Sequence, residues 1–293
     1  MAAVRPLSTL EDLEPSKGRF GKLRTSLSTA AHQAKGRGGS GFRRIGTVRS
    51  NTWIVIVYGT LLCATQLCLI WHPILGLGLS TFCLFLLTTG ALVRESLRKL
   101  SISLAILPTV QIAHSAIITH NAFQSTTILY VMLLLLALIY RYMFTLDEPV
   151  EKSRLKLKGH LFGLPLMIII GEGLGLIGYA FLRNHYAYTH ISLPLICAAC
   201  IVFAFAEEMF LRGLVQQQAA RIVHPLLAAV LAAVIYIPLA ISRTSLLTIG
   251  PAVAMGIMLA VVYHLKHNLL LSTAINAAAK LTYVGLVATF ILR

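Results

Sequence analysis

Charge of either sign is scarce in this chain of 293 residues: Asp, Glu, Lys and Arg make up only 12% of it, with 10 acids against 25 bases. With 57% apolar residues and a mean hydropathy of +0.80, that scarcity excludes an ordinary soluble domain, which needs far less apolar material for its core. Nothing before residue 51 resembles the apolar h-region of a signal peptide. No self-similarity at a period of 20–50 residues is present, which removes solenoids and repeat arrays but not an inverted-repeat transporter. Aromatic residues are missing from the basic N-terminal segment except for Phe20 and Phe42, so the formal charge of +15 does not signal a nucleic-acid partner. Thiols are few. Cys63, Cys68, Cys83, Cys197 and Cys200 all fall in apolar stretches as small packing residues, and the single Cys197/Cys200 CxxC lacks the second pair a metal or redox site needs. No cofactor or metal is expected from them.

What remains is dominated by apolar runs long enough to cross a bilayer as helices. They lie at 53–71, 75–93, 101–119, 126–145, 161–182, 191–211, 225–242, 246–265 and 269–292. The expected fold is all-α, a polytopic bundle of about eight to nine transmembrane helices. Residues 1–50, with ten Lys/Arg, three acids and a Gly/Ser/Arg stretch, read as a disordered basic tail able to lie against anionic lipid. The polar stretch Asp147 to His160 divides the rest into a four-helix region, 51–158, and a five-helix region, 159–293. With a cytoplasmic N-terminus and nine spans, 21 of the 25 basic residues fall on the inner side, as the positive-inside rule requires of a multi-pass cell-membrane protein.

The few intramembrane polar groups are unevenly placed. The first region has no acid except Glu95, read as a loop residue beside Arg94 and Arg98, and it is not expected to carry chemistry. His114 and His120, six apart, do not share a helical face. The second region holds Glu172, Glu207, Glu208, Asn276 and Lys280. An acid at a helix centre costs about 2.5–3.5 kcal/mol to insert, so the Glu207–Glu208 pair near the end of the run from Ile196 to Leu214 is the leading candidate site. Helical geometry sets Arg212 one turn from Glu208, while Glu207 turns toward the face of Phe203 and Leu211. One acid is then tethered and the other freer for acid/base work on water. Equally, both carboxylates could sit hydrated at the interface, paired with Arg212 and Arg221. In Gly171-Glu172-Gly173-Leu174-Gly175 the glycine spacing suits close helix packing, and no strand precedes it to make a nucleotide loop.

The string Glu207-Glu208-Met-Phe-Leu-Arg212-Gly213 resembles the EExxxR(G) motif of the CAAX protease and bacteriocin-processing family, the type II CAAX prenyl endopeptidase-like membrane proteins. Gly256 with Tyr263, and the turn Lys266 to Leu270, extend the likeness over roughly 159–293. The resemblance implies a helical bundle in which the Glu pair activates water to hydrolyse a membrane-proximal peptide bond. It also implies two His and an Asn around that water, as metal ligands or as proton and oxyanion partners. This chain departs from the pattern there: Tyr236-Ile-Pro-Leu-Ala240 has Ala for the first His, and Asn276 and Lys280 stand where His and Asn are expected. His264 and Asn268 have the right spacing but precede the final helix. Two carboxylates alone are a poor zinc site.

Ser272, Asn276 and Lys280 form one stripe at i, i+4 and i+8. A buried ammonium needs a partner, so Lys280 or Arg212 is expected to neutralise the Glu pair, with an ammonium more than about 4 Å from both carboxylates counting against it. If the site is active, Glu207 or Glu208 activates water, Arg212 orients the pair and Asn276 donates to the oxyanion. The substrate would be a peptide segment presented at the cytoplasmic side of the membrane, and the partners the lipid bilayer and a peptide or membrane protein. The alternatives are a silent relative acting as a partner-binding, immunity or assembly factor, and a proton-coupled transporter using Glu172, Glu207 and Glu208.

Overall fold

A computed structural model of the chain describes residues 51–117, 122–145, 163–182, 192–240 and 249–290. The expected tail, 1–50, and the dividing segment 147–160 lie outside the described residues. Those described are almost wholly helical and contain no strand. The described residues form nine helices: α1 (Asn51–Trp71), α2 (Pro73–Val93), α3 (Glu95–Ser115), α4 (Ala122–Thr145), α5 (Gly163–Leu182), α6 (Leu193–Ala220), α7 (Pro225–Ala240), α8 (Ile249–Lys266) and α9 (Leu269–Phe290). Six of them, α1, α2, α4, α6, α8 and α9, are long and apolar enough to cross a membrane. The protein is an integral membrane protein with an all-helical fold.

Short breaks set the helix ends. Pro73 opens α2 at its first turn, where its missing N–H costs nothing. The α1–α2 hairpin closes tightly because Gly76 lies against the Leu69 backbone, where a Cβ would come within 2.5 Å of Cα and N. Arg94 alone, in extended conformation, separates α2 from α3. Glu95 is therefore not a loop residue. It begins α3, where a carboxylate complements the positive helix end. α3 is a core helix that buries Ser101, Ser103 and Gln111 among leucines, and it starts six residues earlier than the apolar run suggested. These three polar residues are covered by protein rather than lipid.

α6 also outruns its expected limit, continuing to Ala220 for 28 residues. Its central part, Met209–Gln216, winds as a π-helix, a form concentrated at functional sites. The helix does not stop at the polar residues after Ala206 because their side chains find partners on α4, α8 and α9. Asn268 ends the α8–α9 turn, its Oδ1 accepting the Leu271 N–H at 3.2 Å as an N-cap. His267 just before it takes φ 47°, the left-handed conformation of a tight stop.

α5 lies along α9 through two glycines one turn apart. A Cβ at Gly171 would meet the Ile275 carbonyl at 2.5 Å, and one at Gly175 the Ala279 carbonyl at 2.4 Å. The expected glycine packing is thus present, with Gly173 facing away into open space. Replacing Gly175 by Ala should push α5 off α9 and cost about 1–3 kcal/mol in thermal unfolding in detergent. Gly173→Ala should leave stability within about 0.5 kcal/mol.

Candidate active site

Five helices converge on the carboxylate pair. α6 supplies Glu207, Glu208 and Arg212, α9 supplies Ser272, Asn276 and Lys280, α4 supplies Tyr130, and α7 with α8 closes the side around Arg212. Glu207, Glu208, Arg212 and Asn276 are each 0% exposed. The hydrated, interfacial arrangement of the Glu pair is therefore excluded.

Glu207 is the more tightly held acid, reversing the expectation that it would be the freer one. Its Oε1 accepts from the Tyr130 hydroxyl at 2.5 Å and from the Lys280 ammonium at 3.0 Å, and its Oε2 accepts from Asn276 Nδ2 at 2.8 Å. The face of Phe203 that it shares is packed against α4, with the Tyr130 and Phe203 rings stacked at 4.6 Å between centroids. That stacking aims the phenol at the carboxylate. The Lys280 ammonium also lies 6.0 Å from the Tyr130 ring centroid, within cation–π range. A quarter of the Lys280 side chain is exposed, the one partly open flank among the groups bonded to Glu207 and Glu208.

Glu208 is held more loosely. Asn276 Nδ2 reaches its Oε1 at 3.3 Å, and Arg212 Nε stands 3.5 Å from its Oε2, an ion pair without hydrogen-bond geometry. Glu208 Oε2, Arg212 Nε and Nη1, and Asn276 Oδ1 have no hydrogen-bond partner. Arg212 is anchored from elsewhere. Its Nη2 donates to the Gly256 carbonyl at 3.1 Å and its guanidinium carbon lies 5.5 Å from the Tyr236 ring centroid. One turn on, Gln216 Nε2 donates to the Ala260 carbonyl at 3.2 Å, so the π-helical stretch is stitched to α8 at two points four residues apart. Gly256 is needed there, because a Cβ would lie 3.0 Å from the Tyr236 ring and 3.1 Å from the Ala233 carbonyl.

The structure thus brings together Glu207, Glu208, Arg212, Asn276 and Lys280. Asn276 directs its amide N–H groups at the two carboxylates, which leaves the acceptor Oδ1 rather than a donor open. Glu172 is not part of the cluster and is exposed on α5. His264 and Asn268 do not join it either, Asn268 serving as the α9 cap. Ala240 closes α7, one turn beyond Tyr236. Tyr130 was missed, since it lies in the region expected to be inert and a tyrosine in an apolar helix carries no sequence signal of its contact. The donor set does not fit a metal: the two carboxylates are the only anionic groups described there, and a cation would have to displace the Lys280 ammonium at 3.0 Å.

The fold and this carboxylate centre define a membrane-embedded helical bundle with a buried, ion-paired acid dyad. Residues 189–282, about a third of the chain, match the family described as type II CAAX prenyl endopeptidase Rce1-like. This Rce1-like region agrees with a CAAX protease and bacteriocin-processing family member and holds α6 to α8 and most of α9, whereas Tyr130 and α5 lie outside it. No curated protein and no solved structure matches the chain.

Lys280→Met should leave the Glu207 charge without its cation. Its cost in thermal unfolding should approach the ~3–5 kcal/mol of a broken buried pair, reduced by the exposed part of Lys280. Adding Glu207→Gln should recover much of that loss, and a double-mutant cycle measures the coupling. Tyr130→Phe alone should cost about 1.5–3 kcal/mol, as removal of a hydrogen bond to a charged group does.

Proposed function

We propose that the protein is a CAAX protease-like membrane protein whose Glu pair is a structural ion-pair centre, and that it acts by binding a membrane peptide or protein as an assembly or immunity factor rather than by hydrolysis. The observation that carries this reading is the engagement of both Glu207 oxygens, with three of about four acceptor positions filled. A carboxylate that must take a proton from water needs a free lone pair facing that water. Glu207 instead spends both oxygens on Tyr130, Asn276 and Lys280. A lysine in place of the family's Asn provides a fixed positive charge inside the site, and Ala240 and Asn276 leave no imidazole at the family's His positions. The same reading has the chain in the cell membrane with a cytoplasmic N-terminus, on the distribution of its basic residues.

A second reading, an active endopeptidase, is supported by the open atoms on the Glu208 side. Glu208 Oε2 and Asn276 Oδ1 are acceptors and Arg212 Nη1 is a donor, all buried and without hydrogen-bond partners. Such a set can hold a water between them. In that case Glu208 is the base, Arg212 stabilises its charge, and Glu207 with Lys280 is the scaffold.

Purified protein in lipid, offered a library of membrane-proximal peptides, should show no cleavage above that of Glu207→Gln and Glu208→Gln variants. Cleavage by the wild type that Glu208→Gln abolishes would establish the peptidase and overturn the binding reading.

A further inference from the structure

Glu172 lies midway along α5, about 15 Å from each end at 1.5 Å per residue, in a 20-residue helix with no other charged side chain. It is exposed, and its carboxylate makes no hydrogen bond or ion pair in the described structure. Gly171 and Gly175 on either side of it hold α5 against Ile275 and Ala279 of α9, one of the six helices able to cross a membrane, and ionisable residues level with such a span nearly always face the bundle interior or a partner, because hydrocarbon cannot solvate them. Beside it the surface is notched. Gly173 is exposed, with nothing within 4 Å of where its Cβ would be, and Ile169 and Leu176 border it on the same outward arc. The opposite face, Gly171 and Gly175, is already occupied by α9. A missing side chain next to a carboxylate is what a second helix needs in order to approach closely and donate to that carboxylate.

We propose that the outward face of α5, centred on Glu172 and Gly173, docks a transmembrane helix of a different protein that carries a Lys or Arg at mid-membrane depth. The described residues of a second copy of this chain do not supply that charge. Among the described basic residues, Arg94, Arg98, Lys99, Arg141, Arg221 and Lys266 sit at or near helix ends, while Arg212 and Lys280 are held by Glu208 and Glu207. A twofold contact through α5 would also set two Glu172 carboxylates against each other. The inference does not depend on whether the Glu207–Glu208 pair is catalytic, since α5 lies outside that cluster.

The test uses full-length protein in lipid nanodiscs with a labelled host helix of leucines bearing one central Lys, compared with the same helix bearing Leu there, and reads association by energy transfer. The Lys helix should bind the wild type roughly 5- to 30-fold more tightly than the Leu helix, the range of an interhelical polar contact in lipid. Glu172→Leu should erase the difference, and Gly173→Leu should weaken binding of the Lys helix by blocking the notch. Glu207→Gln should leave the preference intact, which separates this interface from the buried dyad. Unchanged helical circular dichroism and melting verify that the α5 variants are folded. Equal binding of the two helices by the wild type would overturn the proposal. So would Glu172-dependent self-association of the protein, or labelling of Glu172 by a water-soluble carbodiimide as fast as that of an exposed loop acid.

Discussion

Two adjacent carboxylates buried within a bilayer protein must be neutralised locally, and that requirement organises the second half of this chain. Glu207 draws Tyr130 from α4 and Asn276 with Lys280 from α9, while Glu208 draws Arg212 from its own helix. Buried ion pairs of this kind seldom add net stability over a well-packed apolar core, but their loss is expensive because one charge stays behind. Their consequence is registry. Sliding α9 by one turn along α6 would move Lys280 and Asn276 away from both acids at once, so the polar stripe specifies one arrangement that leucine packing alone would not.

The π-helical stretch of α6 serves the same end from the other side. It lets the helix run on through Arg212 and Gln216 to Ala220 while both side chains reach carbonyls of α8. Arg212 is consequently shared between Glu208, the Gly256 carbonyl and the Tyr236 ring. A guanidinium with five fixed donors can be divided in this way, whereas an ammonium could not span the same set. The division leaves the Glu208 half of the dyad under-bonded while both oxygens of Glu207 are engaged. That asymmetry is a difference in hydrogen bonding between two neighbouring acids on one helix.

Small residues matter as much as charged ones because lipid offers helices no hydrophobic incentive to associate. Contact must come from close packing. Gly171 and Gly175 bring α5 onto α9, and Gly256 brings α8 onto α7. Each glycine sits against a carbonyl of the neighbouring helix, so the backbones approach to a separation that a methyl group would prevent. α9 is thereby clamped between α5 and α6, and its Lys280 is held facing Glu207.

The helical class, the positions of the nine helices and the identity of the Glu pair with Arg212 were legible in the sequence. Apolar runs of membrane length, glycines one turn apart and carboxylates in an apolar stretch each have a direct physical cost or use that composition reveals. The stripe Ser272, Asn276, Lys280 was legible too, as was the need of its ammonium for an acid. The sequence did not reveal which acid each cation meets, that Glu207 is the more constrained of the two, or that Tyr130 reaches it from 77 residues away. Nor did it reveal that α3 begins at Glu95 or that α6 runs on past its acids. Helical periodicity assigns a residue to a face of its own helix. Which neighbour covers that face depends on how α4, α6, α8 and α9 cross, and only the tertiary structure decides that.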